Sequence, residues 1–112
     1  MGQYFIAVNQ TKKEYVTAWE IGGLAKLWEW CAGRITGIFP YLLRKSDVAD
    51  STPTHYAGRW AGDAVYLVGD YDSSQLYHEA QLQYQNIAKE LVEEYNRFIE
   101  VERLKLTYEP KR

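Results

Sequence analysis

The stretch Gly58-Arg59-Trp60-Ala61-Gly62-Asp63-Ala64-Val65-Tyr66-Leu67-Val68-Gly69-Asp70-Tyr71-Asp72 constrains the fold more than any other part of this chain. Two strand-like runs flank the Gly62-Asp63 pair, a combination that supplies a positive φ and a turn-bonding carboxylate, so residues 55–68 are expected to form a β-hairpin. Val65-Tyr66-Leu67-Val68 is apolar at every position, the pattern of a strand buried on both faces, and Gly69 closes it. Asp63, Asp70 and Asp72 collect near the strand ends, where metals and substrates often sit, yet no His, Cys or Glu stands beside them at ligand spacing.

The rest of the chain supplies partners for that strand. Residues 4–8 are apolar, aromatic and β-branched, and after Asn9-Gln10-Thr11-Lys12-Lys13 a second such run covers residues 14–18, which predicts a hairpin with a loop of about four or five residues. Over residues 21–32 the period changes. Leu24, Leu27, Trp28 and Cys31 fall at i, i+3, i+4 and i+7, the stripe of an amphipathic helix packed on the sheet, with Gly33 as its stop. Pro40 is best tolerated in a first turn, so a short helix carrying Tyr41, Leu42 and Leu43 is expected there. Residues 46–54 are polar with one proline and read as an exposed loop inside the domain. After Asp72-Ser73-Ser74 the chain turns helical to near Leu104, with Ile87, Leu91, Tyr95, Phe98 and Ile99 on one stripe, as one helix from Ser74 or a shorter one capped by Asn86.

Together these elements predict an α+β fold: a small antiparallel sheet of about four strands from two hairpins, covered by two or three helices including a long C-terminal one. With 112 residues the chain is expected to be one domain, 1–112, burying roughly 65% of its unfolded surface without a disulfide or structural metal. Cys31 is the single cysteine, which excludes an internal disulfide, and its apolar surroundings point to a buried position. The first residues lack a basic region followed by an apolar run, and no apolar stretch approaches the ~18 residues of a membrane span, so a soluble cytoplasmic protein is expected. Ile6 stands where a myristoylation motif needs Ser or Thr.

Met1-Gly2-Gln3-Tyr4, Val8-Asn9, Lys12-Lys13-Glu14-Tyr15, Lys26-Leu27-Trp28-Glu29, the Trp60-Ala61-Gly62-Asp63 block and Val68-Gly69-Asp70-Tyr71 resemble an uncharacterised family of small proteins of bacteria, archaea and mobile elements. The resemblance spans most of the chain in separated blocks and implies a prokaryotic or viral source, with the host cytoplasm as location if a mobile element encodes the protein. It carries no activity and no catalytic residues. Members are usually longer, with a Gly- and Asp-rich insertion where this chain has only residues 46–54, so a site built on that insertion would be missing here.

Several chemistries compete for the remaining residues. Asp63, Asp70 and Asp72 offer hard oxygen ligands for a magnesium or manganese ion, the basis of a metal-assisted hydrolase. Turn and capping chemistry explains the same carboxylates with fewer assumptions, so no metal, cofactor or catalytic residue is expected. His55 and His78 have no spacing that would bring either to Cys31. Gly22-Gly23 leads into a helix without a phosphate-loop pattern. Lys12, Lys13, Arg34, Arg44, Lys45 and Arg59 are the basic residues a nucleic acid would meet, but 13 basic against 15 acidic residues is not the balance of a dedicated binder.

Aromatic content is the more unusual property, with ten Tyr, four Trp and three Phe. Tyr15, Trp19, Trp30, Tyr77 and Tyr84 fall off the predicted stripes, and with Arg59, Trp60, Asp63, Asp70 and Asp72 the first four make up the candidate binding surface of a non-catalytic binding or regulatory module. A protein partner fits such a surface. Val92, Val101 and Leu104 widen the apolar face of the last helix, which predicts a homodimer through that helix.

Overall fold

The apolar run near the N-terminus forms β1 (Phe5–Asn9), an inner strand in the computed structural model of the protein, which describes residues 2–48 and 54–110. A four-residue turn, with Lys13 in the left-handed region at φ 58°, brings the chain back as β2 (Glu14–Thr17), so the first hairpin forms as expected. On the other side of β1 lies β3 (Val65–Gly69), antiparallel, with Ala7 opposite Leu67. The last strand is the two-residue β4 (Gln85–Asn86), parallel to β2. The order is β3-β1-β2-β4. The chain is therefore α+β with a mixed four-stranded sheet, two pairings antiparallel and one parallel.

The second hairpin does not form. Residues 55–63 run as turns, and β3 finds its partner in β1 instead of in the preceding segment. The reason is long-range. Trp60, the centre of the expected first strand, is fully buried in the main core and its indole N–H reaches Glu14 on β2, a contact across 46 residues that no local pattern announces. β3 is correspondingly an edge strand and is not buried on both faces. Tyr66 is 50% exposed, and Val65 and Leu67 are half-buried.

Among the described residues four α-helices flank the sheet: α1 (Leu27–Ala32), α2 (Ile38–Leu43), α3 (Leu76–Gln83) and α4 (Ala88–Phe98). Pro40 sits in the first turn of α2, where its missing N–H is no loss. Gly33 stops α1 and donates its N–H to the Glu29 carbonyl. The C-terminal helical region divides in two, because Asn86 joins β4 and its side-chain oxygen accepts the N–H of Ala88, capping α4 from just outside. Helix α4 is shorter than expected, since from Ile99 the backbone is extended before a 3-10 turn at Glu102–Leu104.

α1 is turned the other way from the sequence expectation. Its expected core stripe faces out, with Leu24, Leu27, Trp28 and Cys31 all exposed, Trp28 at 67%. Trp30, assigned to the surface, is buried and donates its indole N–H to the Phe5 carbonyl at 3.0 Å. A six-residue helix presents only one face to a core, and here it is the face of Trp30, whose indole N–H finds a backbone acceptor when buried.

The two sheet faces carry separate cores. Ala7 and Val16 face the larger one, with Ile21, Trp30, Ile35, Leu42, Trp60, Ile87, Leu91 and Tyr95. Ile6, Val8, Tyr15 and Val68 face the smaller one beneath Leu76 and Ala80 of α3. Of the loop expected over residues 46–54, residues 49–53 lie outside the described residues. No helix among the described residues is long and apolar enough to cross a membrane.

Candidate binding cleft at Trp19

The residues singled out in the sequence divide into clips that hold the fold and a smaller group that lines open space. The first clip joins the 58–63 segment to the β1–β2 hairpin. Arg59 grips both carboxylate oxygens of the buried Glu14, its Nη2 at 2.5 Å, while Trp60 Nε1 donates to Glu14 Oε1 at 2.9 Å. Burial pushes the Glu14 carboxyl up, but those hydrogen bonds and the charges of Arg59 and Lys12 outweigh it and hold the group below the usual glutamate range. Asp63 accepts from Asn9 Nδ2 at 2.8 Å and Lys12 Nζ at 2.6 Å, which lower its carboxyl in that order. The expected bond from Asp63 back into its own turn is replaced by this contact with the hairpin. Gly58 and Gly62 take φ of 78° and 82°, and a Cβ on Gly58 would stand 2.7 Å from the Arg44 carbonyl oxygen.

A second clip closes the opposite end of β3. Asp70 Oδ1 accepts the Tyr4 N–H at 3.0 Å, and the Asp70 N–H returns a bond to the Tyr4 carbonyl at 2.9 Å. Asp72 accepts the N–H of Ser74, and the Ser74 side chain and backbone lower its carboxyl. This is the turn chemistry expected of Asp72. Asp63 and Asp70 thus sit at opposite ends of β3, about 20 Å apart at a strand's rise per residue, and the three aspartates do not converge. No group of three His, Cys, Asp or Glu among the described residues is placed to hold a metal ion.

Of the aromatic candidates, Tyr15, Trp30 and Trp60 belong to the cores, and Tyr77 packs half-buried against the smaller one. Tyr84 lies beneath Lys13, whose Nζ is 5.7 Å from the ring centre. Trp19 alone among the five off-stripe aromatics opens to solvent, 41% exposed, on the 3-10 turn Trp19–Ile21 that follows β2. It packs edge-on against Tyr4, ring centres 5.6 Å apart.

Trp19 walls a cleft of about 530 Å³ with Thr17, Glu20, Gln81, Tyr108, Glu109 and Pro110. Three distant segments build it. The end of β2 and its 3-10 turn supply Thr17, Trp19 and Glu20, α3 supplies Gln81, and the C-terminal tail supplies the rest. The tail is tied down by the Glu109 N–H on the Glu20 carbonyl at 3.0 Å and by a reciprocal pair between Leu106 and the Asn96 side chain, both at 2.8 Å. Glu20 is buried yet has no cationic partner among the described residues. Its carboxylate accepts from Thr17 Oγ1 at 2.8 Å and from Asn86 Nδ2 at 2.9 and 2.7 Å, all neutral donors. Among the described residues the lining therefore holds two carboxylates, two aromatic rings and no Lys, Arg or His. Sequence reasoning missed Tyr4, Glu20 and Tyr108 because the tail and the hairpin end meet only in three dimensions.

The basic residues are partly engaged. Lys12 and Arg59 form ion pairs with Asp63 and Glu14, and Arg34 donates to the Arg103 carbonyl at 3.2 Å. On α4, Ile87, Leu91 and Tyr95 face the core as expected, but Val92 is also buried at 3% exposure and so does not contribute to an outer face. Phe98, Val101 and Leu104 are exposed.

No known protein family matches this chain, no curated protein sequence is significantly similar to it, and no solved structure matches it.

Proposed function

We propose that the protein is a non-catalytic binding module whose site is the Trp19 cleft, and that the ligand presents a cationic, donor-rich group such as an amine, a guanidinium or a quaternary ammonium. The observation that carries this reading is the combination of an exposed tryptophan, a tyrosine and two carboxylates around one cleft with no cation among the described residues of its lining. A cation over an indole face gains about 0.5–2 kcal/mol, and a nearby carboxylate adds charge complementarity. The hydrogen-bond donors that hold the Glu20 side chain, Thr17 Oγ1 and Asn86 Nδ2, are both neutral groups. Small-molecule sites combine apolar walls with a few fixed polar groups, and this cleft has that composition.

Titration of the isotope-labelled protein with arginine amide, lysine amide and tetramethylammonium, followed by NMR, tests the reading. Binding is expected to shift the Trp19 indole N–H and the Glu20 and Glu109 amides, and Trp19→Ala is expected to weaken it at least tenfold. Shifts that survive Trp19→Ala, or no shift with any of the three cations at millimolar concentration, would overturn it.

A further inference from the structure

No strand among the described residues pairs with the outer edge of β3, and the pattern of its backbone groups says what fits it. Gln10 donates its N–H to the Ala64 carbonyl and Asp70 donates its own to the Tyr4 carbonyl, each at 2.9 Å. In the register that pairs Val8 with Tyr66 and Ile6 with Val68, the even-numbered residues of β3 therefore turn their hydrogen-bonding groups toward β1. Val65, Leu67 and Gly69 turn theirs away. Among the described residues only the Gly69 carbonyl is engaged, by the Asp72 N–H at 3.1 Å. Beside this edge runs a cleft of about 790 Å³ lined by Tyr66, Leu67, Val68, Gly69 and Tyr71 among others.

Natural sheets guard such edges with lysine, proline or a bulge, and β3 has none of them: its sequence is Val-Tyr-Leu-Val-Gly and its register is unbroken. We infer that this edge pairs with β3 of a second copy, antiparallel about a two-fold axis at Leu67, joining two four-stranded sheets into one.

The register is self-complementary, which favours a second copy over an unrelated strand. Leu67 falls opposite Leu67 of the second copy, and Val65 opposite the second copy's Gly69, so the outward-facing residues meet in hydrogen-bonded pairs and form about four ladder bonds besides those to the Gly69 carbonyls, which Asp72 already engages. On the face covered by α3, the half-exposed Tyr66 stands opposite the second copy's Val68, an aromatic against a β-branched side chain, which is a favoured cross-strand pair. On the other face Val65 stands beside the second copy's Gly69, over which that copy's Phe5 ring and Gln3 side chain lie. Within the paired residues, Val65 to Gly69, there is no charged side chain, so no like charges confront each other. The assembly closes at two copies, since the far edge, β4, is only two residues long.

Sedimentation over a range of micromolar concentrations, combined with amide hydrogen exchange, tests the pairing. A dimer is expected in which the Leu67 and Val65 amides are protected at high concentration and exchange freely on dilution. Tyr66→Lys and Tyr66→Glu bring like charges together diagonally across the axis, and each is expected to be a monomer with an unchanged circular dichroism spectrum. An equal mixture of the two is expected to recover the dimer. A wild type that stays monomeric, or a dimer whose Leu67 amide exchanges freely, would overturn the inference. So would a monomer whose Leu67 amide is protected only when a Val-Tyr-Leu-Val-Gly peptide is added, a result that gives the edge to an extended peptide. If a Tyr66 variant fails to fold, the exchange pattern of the wild type still decides.

Discussion

Glu94 ties α4 to the segment before β3 with a single carboxylate. Tyr41 Oη donates to it at 2.6 Å, and the backbone N–H groups of His55, Tyr56 and Ala57 donate at 2.8, 2.9 and 3.2 Å. Burial raises the Glu94 carboxyl, the four donors outweigh that, and the group stays below the ordinary glutamate value of 4.5. The same bond, added to burial, pushes the Tyr41 hydroxyl above the usual tyrosine range. Removing the charge leaves buried donors poorly matched, so Glu94→Gln is expected to cost roughly 2–3 kcal/mol in denaturant unfolding at neutral pH. The pH dependence follows from direction. Glu94 and Glu14 both have folded values below 4.5, so their stabilisation is present above 4.5 and is lost as pH falls through the folded values. The wild-type midpoint is expected to drop steeply below pH 4.5, and Glu94→Gln to show a shallower drop. Equal slopes would remove Glu94 from the acid transition.

At the scale of elements, α1 and β3 separate what the chain announces from what it conceals. Trp30→Ala is expected to cost about 3–5 kcal/mol and Trp28→Ala less than about 0.5, although both lie on the same six-residue helix. Thermal unfolding of the two variants checks this, and a reversed order would put the Leu27–Trp28 face inside. Leu67→Ala is expected to cost only about 1 kcal/mol, because a half-buried edge residue leaves a small cavity. A loss of several kcal/mol would mean that the Leu67 side chain is fully buried on its sheet face. The first hairpin was legible because its alternation is local and its turn is polar, and the inner face of α4 was legible because Ile87, Leu91 and Tyr95 keep helical period. Trp60 and Trp30 were not, since their burial depends on Glu14 and on the Phe5 carbonyl, 46 and 25 residues away. The Trp19 cleft was half legible: one aromatic wall stood out, and the tail that completes it carried no signal.

Across the whole molecule, the blocks that stand apart in sequence meet as pairs. Gln3 and Tyr4 lie against Gly69 and Asp70 at one end of β3, and Lys12 and Glu14 hold Asp63, Arg59 and Trp60 at the other. Residues that look like a site from their pattern are thereby accounted for as the stitching of β3 and its flanks to the first hairpin. The open chemistry lies elsewhere, at Trp19. Hydroxyl-radical footprinting of the native protein, read at each of the four tryptophans by mass spectrometry with and without arginine amide, tests this division most directly. Trp19 and Trp28 are expected to be oxidised and Trp30 and Trp60 protected, with the ligand shielding Trp19 alone. Oxidation of Trp60 at the rate of Trp28, or shielding of Trp60 in place of Trp19, would contradict the account.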